Sequence, residues 1–428
     1  MRQSWRSVSH LKWLYPGMGV KRWLLLLGLG ITAISLGFGY LLLDFYRRGH
    51  FPLLFYYLTL QFLARPYRAL LLGLLGIGLI IVALWGLSRS VIGPLLRPGQ
   101  EDLAEVVYRH RQRGRGPKVV AIGGGTGLST LLRGLKEHTS NITAIVTVAD
   151  DGGSSGRLRR ELGLPPPGDF RNCIAALSEA ERLTTRLFQY RFGNGSGLNG
   201  HSFGNLFIAA MAGVTGSFDR ALLESSRVLA VRGRVLPSTL ENVTLCAEVQ
   251  VIKNGEVSEC VRVRGESQIP KAEGCVERVF LEPENAKAYP EVIRAILEAD
   301  LIVAGPGSLF TSVLPNLLVP DVVRAIRASR ALCVYVCNVA TQRGETDGFD
   351  VAAHVAALQR HVGRDLFPLV LANNNTDVPV PEGAWVEWVR PPAVLDGSYT
   401  LITEDLVDRI QPWRHDSQRL AAALMSLL

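Results

Sequence analysis

The chain has 428 residues, with 46 Lys+Arg against 38 Asp+Glu and a net charge of +8. That length allows more than one domain, and the charge is uneven: residues 1–117 carry a net of +11, residues 118–428 a net of −3. An acidic body excludes nucleic-acid binding as its main business and ties the basicity to a segment beside anionic lipid.

In chain order, Trp23–Leu43 is 21 residues without a charge and Ala69–Leu87 is 19 more. At helical rise each reaches across the roughly 30 Å hydrocarbon core of a bilayer. The first is too long for a signal peptide, lacks a small-residue cleavage site and is followed by the second. Residues 1–92 are therefore expected to form a membrane hairpin with two transmembrane helices (about 23–43 and 69–87). Basic residues at both ends (Arg2, Arg6, Lys12, Lys21, Arg22; then Arg89, Arg97, Arg109, Arg111, Arg113, Arg115) favour an in–out–in arrangement in the cell (inner) membrane, with the body in the cytoplasm. Between the spans, Phe51–Phe62 is aromatic and apolar and suits the interface. Residues 93–117 read as a basic juxtamembrane linker at the lipid headgroups.

From Lys118 onward, short β-branched runs alternate with helical patterns. Lys118–Ile122, Ile142–Val148, Leu301–Gly305, Leu332–Val339 and Phe367–Asn374 are the expected strands; Leu128–His138 and the segments from Pro290 and Asp321 are the expected helices. Continuous apolar strands separated by helices predict a mostly parallel Rossmann-like α/β sheet covered on both faces. One stretch, Val243–Gly265, alternates around Asn254-Gly255 and predicts a small β-hairpin insertion. The cysteines (Cys173, Cys246, Cys260, Cys275, Cys333, Cys337) form no C-x-x-C pair and read as reduced, buried thiols; no metal cluster is expected.

Candidate chemistry sits in loops after strands. Gly123, Gly124, Gly125, Thr126 and Gly127 join a strand to a helix start, where glycines permit close approach and amides point at an anion. No Gly-Lys-Ser/Thr follows, and Leu128 stands where a dinucleotide fingerprint needs its last glycine. After the second strand, Asp150 and Asp151 offer carboxylates able to hold Mg²⁺, accept from a hydroxyl or act as a base. Gly152, Gly153, Ser154, Ser155 and Gly156 then predict a flexible, donor-rich turn ahead of Arg157. In Gly168–Asn172, Asp169 could cap a helix and Arg171 face an anion. The turn Gly305, Pro306, Gly307, Ser308 repeats the first design, with Ser308 as a helix cap. His201 and Asn205 after a Gly/Asn loop, and Asn338 and Thr341 after a later strand, add polar groups. Helix N-termini at the carboxyl edge of a parallel sheet suit a diphosphate.

Taken together, the segments Ala121–Lys136, Val146–Gly163, Pro165–Asn172, Gly200–Asn205, Ala299–Leu318 and Cys337–Phe349 resemble the YvcK family, within the CofD-like proteins, over essentially all of residues 118–428. The resemblance implies a nucleotide-sugar-binding domain for UDP-N-acetylglucosamine or UDP-glucose, called a gluconeogenesis factor. It also implies a role in cell shape and peptidoglycan synthesis on gluconeogenic carbon sources, with cell-wall synthesis proteins as partners. It brings no established reaction. The namesake of the CofD-like proteins carries an Asn-Thr-Gly-Asp-Asp type motif where this chain has "VADDGG", which weakens the alternative of a Mg²⁺-dependent transferase moving a phosphate-linked group. Under the resemblance, Gly123–Gly127 and Gly305–Ser308 border the diphosphate, while Asp150, Asp151 and Asn205 line the cleft. Arg414, in a C-terminal Arg-His-Asp segment, reaches the ligand. The ligand-contact set is completed by Ser154, Ser155, Arg157, Asn172, His201, Asn338 and Thr341; no catalytic or metal residue is assigned. Lipid contact belongs to residues 1–117, and a homo-oligomer is the default assembly.

Overall fold

The computed structural model describes residues 20–47, 57, 60, 62–92, 113–179, 182–193, 197–253, 256–379, 387–394 and 397–428. The chain divides into two units, Met1–Gln112 and Arg113–Leu428.

Among the described residues of the first unit, the helices Val20–Arg47 and Arg65–Ile92 stand at the places expected for membrane spans. Described apolar side chains on both, such as Leu36, Phe38, Leu74 and Ile81, are exposed. Among the described residues, however, no single helix is long and apolar enough to cross a membrane; the apolar stretches are Leu27–Gly39 and Pro66–Val82. The expected spans stand as helices. Most of Phe51–Phe62 and nearly all of the basic linker lie outside the described residues.

The second unit is built on a seven-stranded parallel sheet. Its strands are β1 (Val119–Gly123), β2 (Ile142–Val146), β3 (Arg234–Pro237), β7 (Leu301–Ala304), β8 (Leu332–Val336), β9 (Leu369–Asn373) and β10 (Thr400–Glu404), in the order β10-β9-β8-β7-β1-β2-β3. Every residue of β1, β2 and β7 is buried. Successive side chains point to opposite faces, so both faces of the central strands are covered. The edge strand β10 is largely exposed, as an edge permits. Register is set by the apolar runs: Val119 to Gly123 lie beside Ile142 to Val146, and Val119 to Ile122 beside Leu301 to Ala304.

Between β3 and β7 the chain makes a separate antiparallel sheet of β4 (Thr244–Lys253), β5 (Glu256–Arg264) and β6 (Cys275–Glu282), ordered β5-β4-β6. The expected hairpin is there and a third strand joins it, while its turn at Asn254-Gly255 lies outside the described residues. Cys173, Cys246, Cys333 and Cys337 are buried free thiols, but Cys260 and Cys275, on the two outer strands of this small sheet, are exposed. That corrects the expectation of uniformly buried cysteines: outer faces of a small antiparallel sheet meet water.

The chain leaves β1 for β2 on one side, and later returns to place β7 on the other. The strand order therefore reverses at β1, and the crevice outside the carboxyl ends of β1 and β7 is where open α/β sheets hold ligands.

Candidate functional site

The loop after β1 leads directly into the helix Thr126–Leu135. Its glycines are needed for a different reason than the sequence suggests. A Cβ on Gly124 would lie 2.6 Å from Ser312 Oγ, one on Gly125 2.8 Å from Asn172 Nδ2 and against the Asp169 carboxylate, and one on Gly127 2.7 Å from Gly307 Cα. The missing side chains make room for protein, and they draw the β1 and β7 loops into contact. The amide of Gly125 is already spent on Asp169. Gly123 lies within the sheet, its carbonyl accepting from Thr147 N at 3.2 Å and Asn316 Nδ2 at 3.0 Å. Asp169 itself does not cap the helix Gly168–Leu177, whose N-cap is Pro167; it braces the glycine loop.

The loop after β7 does not lead into a capped α-helix. Leu309–Val313 form a π-helical turn followed by the short helix Leu314–Leu317. Ser308 precedes that turn without capping it, and its hydroxyl accepts from Gln342 Nε2. Gly305 donates to Ile122 O at 2.8 Å, and Gly307 donates to Asn338 Oδ1 at 3.1 Å. Thr341 is tied to Glu387 by its amide (2.8 Å) and its hydroxyl (3.2 Å). Asn338 and Thr341 thus hold loops in place as well as facing the site.

Together these loops enclose a cavity of about 400 Å³ lined by Thr126, Gly127, Pro306, Gly307, Ser308, Asn338, Val339, Ala340, Thr341, Gln342, Arg343, Trp413 and Arg414. Its outer wall comes from the C-terminal segment, and three consecutive residues explain how. Arg414 lines the cavity. His415 is buried, with Nε2 3.2 Å from Cys337 O at the end of β8. Asp416 caps the helix Ser417–Met425, accepting from Gln418 N and Arg419 N at 2.9 Å. Burial lowers the His415 pKa to about 4, so it is a neutral donor to that carbonyl. The final helix packs on Thr126–Leu135 at Gly134, where an added Cβ would run into the Ser417 carbonyl. Partial burial and then the charge of Arg414 lower the pKa of Arg133, so Arg133 stands near the cavity-lining Arg414.

The β2 side of the crevice is different in character. Gly153–Leu162 is a helix, correcting the expected flexible turn, and Ser154, Ser155 and Gly156 are buried in its first turn. Asp150 Oδ1 accepts from Gly152 N at 2.9 Å, and Asp151 Oδ1 from Ser267 N at 2.9 Å. Ser155 takes the amide of Gly168 at 3.1 Å and bonds to Asp150. Ser154 Oγ lies 3.0 Å from His201 Nδ1 and receives Asn205 Nδ2 at 3.0 Å. Ser202 caps the helix Phe203–Thr215 through Asn205 N, and Arg171 donates to Ser202 Oγ at 2.6 Å and to Asn172 Oδ1 at 2.9 Å. Arg157 donates to Asn199 O at 2.7 Å.

Several carboxyl groups stand close enough to act on one another. Desolvation, and then the charge of Asp150, raise the Asp169 pKa to about 7. Glu266 rises to about 8, through desolvation first and then Asp150, Asp169, Asp151 and Glu345. Glu345, which accepts from the Thr311 hydroxyl at 3.0 Å, rises by desolvation to about 7. Asp150 is raised by desolvation too, opposed by the Gly152 amide and Ser155. Crowded carboxyls at neutral pH share protons. Among the described residues no group of three or more His, Cys, Asp or Glu side chains is arranged to hold a metal ion.

Of the residues singled out in the sequence, Thr126, Gly127, Gly307, Ser308, Asn338, Thr341 and Arg414 line one cavity. Asp150, Ser154, Ser155, His201 and Asn205 gather on the β2 side, Asn172 stands between it and Gly125, and Asp151 turns to Ser267. Sequence reasoning missed Glu266, Trp413 and the bracing role of Asp169. Trp413 was reachable, since it directly precedes Arg414; Glu266 sits in a 3₁₀ turn far along the chain from its neighbours.

A Rossmann-like α/β body with its ligand crevice at the strand-order reversal is thus the class this chain represents. The sequence profile of the family "2-phospho-L-lactate transferase CofD" matches residues 119–386. The chain is 46% identical to a putative gluconeogenesis factor of Nostoc sp., over 99% of this chain and 94% of that protein. It is 48% identical to the gluconeogenesis factor of Bacillus subtilis, over 74% of this chain and 99% of that one. A crystal structure of a UPF0052-family protein from Bacillus halodurans superimposes with a TM-score of 0.65 at 46% identity, covering 72% of this chain and 99% of that one. The chain belongs to the CofD family and, within it, to the gluconeogenesis factors of the YvcK/UPF0052 group. The Bacillus subtilis relative is matched almost end to end by three quarters of this chain, whereas the Nostoc relative is matched along nearly all of it.

Proposed function

We propose that this protein binds a UDP-sugar, UDP-N-acetylglucosamine or UDP-glucose, in the crevice between the β1 and β7 loops, as a regulator of cell-envelope metabolism rather than by turning the ligand over. The observation that carries this reading is the cavity itself. About 400 Å³ is open at the strand-order reversal, bordered by backbone-rich loops and by Trp413, Arg343 and Arg414. An indole face suits a base, and guanidinium groups suit a diphosphate. The name shared by the relatives, gluconeogenesis factor, supports a role in growth on gluconeogenic carbon sources; a role in peptidoglycan synthesis, with cell-wall synthesis proteins as partners, is part of the same proposal. The helices Val20–Arg47 and Arg65–Ile92, within the +11 segment, support attachment to the cell membrane with the body in the cytoplasm.

Calorimetric titration of the full chain in detergent micelles tests the reading. Saturable heat with either UDP-sugar is expected; silence with both ends it. The match to the CofD profile supports a second reading, a Mg²⁺-dependent transfer of a phosphate-linked group. In that case Asp150 and Asp151 would hold the cation, yet each carboxylate already accepts a backbone amide, from Gly152 and Ser267. Turnover of a nucleotide diphosphate donor with Mg²⁺, lost in Asp151→Asn, would favour the transferase; affinity without turnover favours the binding protein.

A further inference from the structure

Resting on the nucleotide reading above, we propose that Asn205, braced by Ser154 and His201, reads the hydroxyl- or amide-bearing part of the ligand. The phosphates then lie on the Arg343–Arg414 side of the crevice and the neutral polar part on the Asp150 side.

Asn205 is 2% exposed, and its Oδ1 has no hydrogen-bond partner. Its Nδ2 is spent on Ser154 Oγ, which also meets His201 Nδ1, and its amide nitrogen is held by Ser202. Turning the side-chain amide over does not solve the problem. Oδ1 would then take the Ser154 hydroxyl proton, and the –NH₂ end would be stranded instead. In either orientation one end of a buried amide has no partner, a state that folded proteins pay to avoid. A hydroxyl, which both donates and accepts, satisfies either orientation; a phosphate oxygen, which only accepts, satisfies one.

Charge sorts the ligand in the same direction. The β2 half holds Asp150, and the charges of Asp150, Asp169, Asp151 and Glu345 all bear on Glu266. The arginines there bond to protein acceptors: Arg157 to Asn199 O, Arg159 to Asn242 and Val243 O, and Arg171 through its two terminal nitrogens to Ser202 and Asn172, with its buried Nε left over. Carboxyls repel a phosphate and accept from hydroxyls. The opposite half has Arg343 and Arg414 at its rim. A ligand with an anionic middle and a hydroxylated end therefore has one favourable direction in the crevice.

The test uses calorimetry of the full chain in detergent micelles with two probes, UDP and UDP-N-acetylglucosamine, and reads the ratio of their affinities. The wild-type protein should bind the sugar nucleotide more tightly than UDP. In Asn205→Ala that ratio should fall about fivefold to tenfold, and in Ser154→Ala, which removes the brace, by a smaller factor. An unchanged ratio, with both probes losing affinity equally, overturns the assignment as a fold effect. Should the variants fail to fold, the wild-type comparison still decides: UDP binding as tightly as UDP-N-acetylglucosamine overturns this inference and leaves the nucleotide reading intact. No binding of either probe overturns the nucleotide reading and this inference with it.

Discussion

The two halves of the crevice are built to opposite specifications. The β7–β8 half is an open cavity with cations and an indole at its rim, and its polar side chains mostly pin loops: Asn338 to Gly307, Gln342 to Ser308, Thr341 to Glu387. The β2 half is closely packed, acidic, and contains a buried amide with a missing partner. The contrast teaches that a glycine-rich turn after a strand is not by itself the anion site. Here the β1 glycines fasten the two halves together, with Asp169 in the place a ligand was expected to take, and the cations that would meet a phosphate come from the loop after β8 (Arg343) and the C-terminal segment (Arg414).

The largest effect should come from the cationic half. Arg414→Ala is expected to weaken UDP-sugar binding about 10- to 100-fold, the scale of a lost charge-assisted contact, with little change in melting temperature. A loss shared equally with folding stability would make Arg414 a packing residue and blur the contrast. Next is the support of that wall. Gly134→Ala forces a methyl group into the Ser417 carbonyl, and overpacking of this kind costs about 1–3 kcal/mol. Thermal or urea unfolding should record the loss, and binding should weaken because the helix Ser417–Met425 follows directly on Arg414 and His415.

A smaller effect sharpens the acidic half. Asp169, Glu266 and Glu345 have folded pKa values raised to about 7, 8 and 7. The folded state therefore holds protons that the unfolded state releases near pH 4. Their stabilising contribution is fully present below that pH and is lost as pH rises through about 7 to 8. Glu266→Gln should flatten the fall in melting temperature between pH 5 and 9 and raise it by ~2–4 °C at the alkaline end. An identical pH profile in the variant would remove Glu266 from the cluster. The smallest change is a control away from both halves: Glu224→Gln breaks an exposed pair with Arg227 and should shift stability by less than ~0.5 kcal/mol.

Much of this was legible in the sequence. Short apolar, β-branched runs located β1, β2, β7, β8 and β9, because strands covered on both faces need no alternation. The short edge strands β3 and β10 escaped, since Arg234–Pro237 and Thr400–Glu404 carry too weak an apolar run to stand out. The Ser308 cap failed because the turn after it opens into a π-helical turn, which no local signal announces. Ser154 and Ser155 read as loop residues because serines and glycines favour turns; tertiary burial overrode that preference and made them a helix start. Glu266 reaches Asp150 and Asp169 only through the folding of the three-stranded insertion, a proximity that spacing along the chain does not encode.

A crystal structure of the protein with UDP-N-acetylglucosamine tests the central claim most directly. It should place the diphosphate beside Gly307, Ser308 and Arg414 and the sugar within hydrogen-bond distance of Asn205. A nucleotide bound elsewhere on the body, or an empty crevice at millimolar ligand, would contradict it.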